Sequence, residues 1–325
     1  MAEMAGVDFS RLPEGCISHV LSLTSPRDVC RAAMVSPEFR SAETSDTVWE
    51  RFLPSDIADI LSRAVDRVEY SSKRELFFRL CDPILIDGGK RSFFLEKSTG
   101  RKCYMLSARQ LTIIWGDTPQ YWAWISVPES RFSEVAELLH VCWLEIHGRL
   151  DTKELSWHTK YVAYLVFKLT EGCHGFRHPS HETSVKVGTH VSSHHAYLLT
   201  AETERVPSHH HDSSQTIDTV ARPHARRYGR RWFRPSFGHV FQRPDSFLQE
   251  PGNLEFESTE TTTSTRRSSV RVPHQREDGW MEIELGEFDN ELGEDGEVEM
   301  SLLEVKGGHW KSGLLIQGIE IRPRN

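Results

Sequence analysis

The residues of this chain best equipped to hold a ligand are its aromatic side chains, and they crowd one stretch. Leu111–Trp124, LTIIWGDTPQYWAW, places Trp115, Tyr121, Trp122 and Trp124 within fourteen positions. Leu111, Ile113 and Trp115 alternate as in a strand, and Gly116-Asp117-Thr118-Pro119 signals a turn. An indole has a flat apolar face and one N–H donor. Rings grouped at a turn can therefore stack on a sugar, a peptide or another apolar surface, and the same rings can also be core. No nucleophile elbow, His-Glu-x-x-His or paired-carboxylate arrangement accompanies them, so no catalysis is expected. Asp87-Gly88-Gly89-Lys90 lacks the spacing of a phosphate-binding loop.

The totals limit what these rings can serve. At 325 residues the chain has room for two domains, and its 38% hydrophobic and 26% charged residues are ordinary for a soluble protein. A net charge of −8 argues against general nucleic-acid or anionic-membrane binding, which needs a positive face. The six cysteines form no Cys-x-x-Cys pair, and there is no Asn-x-Ser/Thr sequon or signal-peptide pattern. The expected setting is therefore reducing: cytoplasmic, nuclear or both, with no membrane span. His174, His178, His181 and the triplet His209–His211 lack an ordered ligand framework, so neither metal nor cofactor is expected. Arg226-Arg227 and Arg230-Arg231, with Tyr228 and Trp232, read as a charged loop in preference to a nuclear-localisation or nucleic-acid patch.

Several helices must precede the aromatic stretch. Leu12-Pro13-Glu14 opens one, with Ile17, Val20 and Leu21 on a single face, and Ser25-Pro26 opens a second with Val29, Cys30 and Ala33 inward. Ser36-Pro37 breaks again, and Phe39 and Trp49 add bulk. Short helices of this kind cannot bury all their apolar surface, so Leu12, Pro13, Ile17, Leu21, Val29, Val35 and Trp49 are candidates for an exposed patch that needs a partner. The segment LPEGCISHVLSLTSPRDVCRAAMVSPEFRSA resembles an F-box. That resemblance implies docking onto the small adaptor subunit of cullin-based ubiquitin ligases. Residues 1–56 are assigned to it. Residues 57–83 read as a helical linker, with a capping box at Ser72-Lys73-Arg74-Glu75.

From residue 84 the period changes. Cys142, Leu144, Ile146, Gly148 and Leu150 alternate against Trp143, Glu145, His147 and Arg149, and Tyr161–Leu169 reads as a central strand. Trp280–Leu285, Val298–Val305 and Leu314–Ile321 alternate again. Turns rather than helices separate these strands, which predicts an antiparallel β-sandwich over 84–325, and hence an α+β multidomain chain. Trp143, Trp280 and Trp310 fall in strand-like context and are expected in the core. A His-, Arg- and Ser/Thr-rich insert at about 188–272 lacks apolar periodicity and predicts a disordered or poorly packed loop.

The blocks QLTIIWGDTPQYWAW, VCWLEIHGRL, YVAYLVFKL, DGWMEIELGEF, LGEDGEVEM and GHWKSGLLIQGIEIRP resemble the phloem protein two family of plant lectins, which includes Nictaba. The resemblance implies a jelly-roll-like sandwich that recognises N-acetylglucosamine-containing glycans. It assigns sugar contacts to Trp115, Trp122 and Glu297, with Trp124 as an addition. Joined to the amino-terminal motif, it implies a substrate receptor of an SCF-type ubiquitin ligase that does no bond chemistry and takes a glycan or glycoprotein as target. The alternatives are a lectin acting in stress or defence without ligase recruitment, and a receptor for a non-glycosylated protein.

Overall fold

The computed structural model describes residues 12–199, 270–291, 293 and 296–324, and the statements below concern these residues. Helices α1 (Glu14–Ser22), α2 (Pro26–Ala32), α3 (Pro37–Glu43) and α4 (Asp46–Glu50) form the amino-terminal bundle, followed by α5 (Ile57–Ser62) and α6 (Lys73–Leu80). Serine caps set three of the starts. Ser25, Ser36 and Ser72 accept the backbone N–H of Asp28, Phe39 and Glu75, each three residues on. At α6 the reciprocal half of the expected capping box is displaced by one residue, because Glu75 accepts the Ser71 N–H at 2.9 Å.

The bundle uses its large apolar groups on itself. Ile17, Leu21, Val29 and Trp49 are buried, and the Trp49 indole N–H donates to the Glu43 carbonyl at 2.6 Å. Four of the seven residues expected in an exposed patch are therefore core, since α1–α4 pack more completely than short helices need. Val20, grouped by spacing with Ile17 and Leu21, is exposed. The outward apolar set is Leu12, Pro13, Val20, Leu23, Met34 and Val35, with Val35 76% exposed.

Residues 57–83 are more than a linker. Phe77 and Phe78 pack on the Trp49 ring at centroid distances of 5.1 Å, and Leu76, Phe77 and Leu80 join a core continuous with the sandwich. Ala64 bridges Ile86 in the first strand. Arg63 holds Asp87 through two hydrogen bonds of 2.8 Å, and Arg91 adds a pair to Glu154. Paired planar hydrogen bonds of this type fix orientation as well as distance.

Fourteen strands make two antiparallel sheets. They are β1 (Ile84–Ile86), β2 (Arg91–Leu95), β3 (Lys102–Ser107), β4 (Thr112–Ile113), β5 (Trp122–Ile125), β6 (Val135–Leu138), β7 (Leu144–Asp151), β8 (Thr159–His174), β9 (His181–Val187), β10 (His190–Ala196), β11 (His274–Gln275), β12 (Met281–Asn290), β13 (Glu297–Glu304) and β14 (Ser312–Pro323). The larger sheet runs β1-β2-β3-β14-β8-β12-β11, with β6 joining β14 and β5 joining β6; the smaller runs β10-β9-β13-β7-β4. β8 is central and buried, as its aromatic and branched sequence requires. The predicted sandwich is thus present. Strand β10 lies within the stretch assigned to the insert. Its sequence HVSSHHA has little apolar periodicity, and it becomes a strand by pairing along its whole length with β9. The remaining insert motifs, including His209–His211 and Arg222–Arg234, lie outside the described residues.

The outer face of the larger sheet is also covered. Met105, Phe132, Val135, Val166, Trp280 and Leu315 form a second apolar cluster there. Beside it Glu320, almost fully buried, accepts from Arg131, Arg276 and Arg322 at 3.0–3.3 Å. Those guanidinium groups hold its carboxyl below the usual range, against the opposing effect of burial.

Candidate functional site

The turn after β4 sets the first candidate ring. The Ile114 N–H donates to the Glu145 carbonyl at 3.0 Å, ending the pairing of β4 with β7. The chain then reverses through Trp115 at φ 63°, with Gly116 N–H on the Ile113 carbonyl and Thr118 N–H on the Trp115 carbonyl. A left-handed conformation is costly for a bulky residue, on the order of 1–2 kcal/mol, and persists only where the surroundings impose it. Its result is an indole standing away from the core, 48% exposed, with Tyr121 against its edge at 6.1 Å.

The other three sequence-predicted residues sit differently. Trp122 begins β5 with its side chain inward, 2% exposed, and presents no face to solvent. Its register opposite Leu138 turns the ring into the core between the sheets, so its position is that of a support beneath the turn. Trp124 is half-buried. Its N–H donates to the Gly116 carbonyl at 3.1 Å, and the Arg109 guanidinium covers one face at 3.7 Å from the ring centroid. Arg109 is held there by paired hydrogen bonds to Glu134, whose carboxyl is lowered by them. Trp124 thus braces the Trp115 turn.

Glu297 is exposed at the start of β13, opposite Asp151 on β7. Trp115 leaves β7 at the level of Glu145, six residues along the strand, roughly 20 Å away at the usual rise. The structure does not bring Glu297 to the tryptophans. The glutamate that β13 does carry to their end is Glu304, opposite Leu144 and buried.

Other rings join Trp115 there. Trp143, just before β7, is 43% exposed and donates its N–H to Glu145 at 2.6 Å, and the other Glu145 oxygen meets His147 at 2.8 Å. Trp310, just before β14, is 46% exposed and stacks on His140 at 4.3 Å and 20°. His174 lies beside His140 and shares a 2.8 Å hydrogen bond with Ser312. Burial and, secondarily, His174 lower the His140 pKa, which favours its neutral form. The backbone joins these pieces, since Leu139 N–H donates to the Tyr121 carbonyl at 2.8 Å and Val141 exchanges two hydrogen bonds with Lys311.

A buried cation anchors them. Lys311 is fully enclosed, pairs closely with Glu304, and donates to the carbonyls of Cys142 at 3.2 Å and His309 at 2.7 Å. One ammonium therefore fixes the segments that carry Trp143 and Trp310. Of the three tryptophans expected in the core, only Trp280 is there. The signal for Trp143 lay in the alternation itself, which groups it with the outward Glu145, His147 and Arg149; for Trp310 it was the preceding Gly307-Gly308 turn.

This end of the sandwich offers exposed indole faces, hydroxyl, carboxylate and imidazole groups, all on rigid supports. Such a set can stack on a pyranose and hydrogen-bond its hydroxyls. Among the described residues no group of three or more His, Cys, Asp or Glu is arranged to hold a metal, and no helix is long and apolar enough to cross a membrane.

Comparison with known proteins gives this arrangement a context. Residues 101–323 match the Phloem protein 2 family and residues 9–51 match the F-box domain. Among curated proteins of Arabidopsis thaliana, the chain is 43% identical to F-box protein PP2-B10 over 318 residues, 97% of this chain and 94% of that one. It is 42% identical to F-box protein PP2-B1, over 97% and 90% of the two chains, and 39% identical to F-box protein VBF, over 96% and 99%.

Proposed function

This chain belongs to the F-box proteins that carry a phloem protein 2 domain, and on that premise we propose that it is the substrate-recognition subunit of an SCF-type ubiquitin ligase directed at N-acetylglucosamine-containing glycoproteins. In this reading the exposed residues Leu12, Pro13 and Val35, extended by Val20, Leu23 and Met34, take the small adaptor subunit. Ile17, Leu21, Val29 and Trp49 act from beneath by holding the helices that present that patch. The aromatic end of the sandwich takes the glycan. Trp115 supplies the stacking face, Trp122 and Trp124 support its turn, and Glu297 serves a glycan long enough to reach the far end of β13.

The observation that carries this reading is Trp115 itself, held exposed at an unfavourable backbone angle next to two further exposed indoles. Such strain in a rigid fold is typical of a ligand-facing residue. The chain would act by proximity. Holding a target near the charged ubiquitin carrier raises the effective concentration of its lysines without any bond chemistry by the receptor. The test is capture of the recombinant adaptor by full-length wild type and by Leu12→Ala/Val35→Asp. Retained capture by the folded variant would refute the ligase assignment.

A second reading has its own support. Trp122 is buried and Glu297 is remote, so a sugar site built on all three implied residues does not form at one place. That favours a protein-directed aromatic surface, in which Trp115, Trp143 and Trp310 grip an unglycosylated target. Binding of N-acetylglucosamine oligomers by wild type, lost in Trp115→Ala, separates the two.

A further inference from the structure

Away from the aromatic end, an open cleft of about 710 Å³ separates the helices from the sandwich. One wall is formed by Ser22–Thr24 and Arg51–Asp56, and the other by Thr99–Lys102, Lys153 and Leu155–Trp157. Its charge is opposite to that of the chain. Arg51, Arg101, Lys102 and Lys153 line it against a single carboxylate, Asp56, in a molecule of net charge −8. Asp56 is already committed to Lys102 at 3.0 Å. Among the described residues Arg51, Arg101 and Lys153 have no acidic partner within ion-pair distance, although exposed cations elsewhere on this surface, such as Lys160, Lys186 and Lys306, are paired.

The cleft is built rather than incidental. Arg101 is steered by a 3.1 Å hydrogen bond to the Trp157 carbonyl. Gly100, at φ 72°, lies so close to the opposite wall that a Cβ would come within 2.9 Å of the Phe52 carbonyl oxygen. The Trp157 ring rests on Gly293, at φ 69°, where a Cβ would meet Nε1 at 2.8 Å. Gly293 is in turn tied to Asn290, which also donates to the carbonyls of Thr152 and Ser156. The outcome is an indole 59% exposed on one wall and Leu23 exposed on the other, with cations between them.

We propose that this cleft binds an acidic peptide segment of a partner protein, with Arg51, Arg101 and Lys153 pairing its carboxylates and Trp157 and Leu23 taking its apolar side chains. Clustered cations on a fixed frame are the usual means of recognising acidic motifs. The apolar lips favour a peptide over an oligonucleotide, which would present charge at every step to a molecule of the same sign. The site goes beyond the glycan reading and shares no residue with it.

The test uses the full chain and fluorescence anisotropy of a labelled Glu-Trp-Glu-Glu-Leu-Glu peptide, with its Lys-for-Glu counterpart and oligothymidylate as comparison probes. Binding of the acidic probe should weaken steeply as salt rises. Arg51→Glu and Lys153→Glu, both solvent-facing, should each reduce it about tenfold or more. Trp157→Ala should reduce it about fivefold, and Lys306→Glu, far from the cleft, should leave it unchanged. No binding at low salt, equal loss in Lys306→Glu, or tighter binding of oligothymidylate would overturn the proposal.

Discussion

His181 gives the most quantitative prediction. It opens β9 with its side chain fully buried, parallel to the Phe176 ring at 6.0 Å, and neither ring nitrogen has a hydrogen-bond partner of normal geometry among the described residues. Burial lowers its pKa from 6.5 to about 4; Lys311 adds to this, while the Ala196 backbone and Glu304 oppose it. The folded protein thus holds a neutral imidazole that the unfolded chain would protonate near pH 6.5. Above that value the group costs nothing. As pH falls toward 4 the unfolded state takes up a proton first and stability is lost, until both states are charged. The span corresponds to about 3 kcal/mol in full, and to about 2 kcal/mol between neutrality and about pH 5. His181→Leu keeps an apolar filling of similar size and removes the titration. Urea unfolding of both proteins at neutral pH and at about pH 5 measures the difference of differences, in which the other titrating groups cancel. Wild type should lose about 2 kcal/mol more than the variant. Equal losses would mean that the imidazole is hydrated or paired, and would refute the argument.

Other predictions follow from the same packing. Lys311→Met leaves the Glu304 carboxylate buried without its cation and should cost about 3–5 kcal/mol, whereas Lys311→Met/Glu304→Leu should recover most of that in thermal unfolding. Glu320→Gln removes the negative charge shared by three arginines and turns one of its two accepting oxygens into a donor, and should cost a comparable amount, on the order of 3 kcal/mol, by urea titration. Asp87→Asn weakens the paired contact with Arg63, so the Val65 N–H that donates to Leu85 should exchange with solvent about tenfold faster while β8 amides do not change. Trp115→Gly relieves the left-handed backbone and should leave stability equal or higher by about 1 kcal/mol, yet abolish binding at the aromatic end.

Local features of this fold were legible in the sequence, and features set by distant pairing were not. Ser25, Ser36 and Ser72 cap helices by contacts three residues long, and the alternation in β7 and β8 states which faces are inward. The turn at Gly116–Tyr121 is different. It breaks the period, so the inward side of Trp122 cannot be carried across from Trp115, and the two rings end on opposite sides of the same surface. Glu297 and Trp115 look like partners only until β13 is placed on β7, a register that no short window contains. The amino-terminal apolar patch obeys the same rule. A helix shows which residues share a face, but Ile17 and Leu21 are core and Val20 is not, because α3 and α4 decide which face is covered.

The role proposed for the aromatic end of the sandwich is to hold the N-acetylglucosamine-bearing targets of a ligase receptor. A glycan array probed with the full-length protein and with Trp115→Ala tests it most directly. The account predicts that wild type retains N-acetylglucosamine-bearing glycans and that the variant, equally folded, loses them. A blank array from folded wild type, or binding unchanged in the variant, would contradict it.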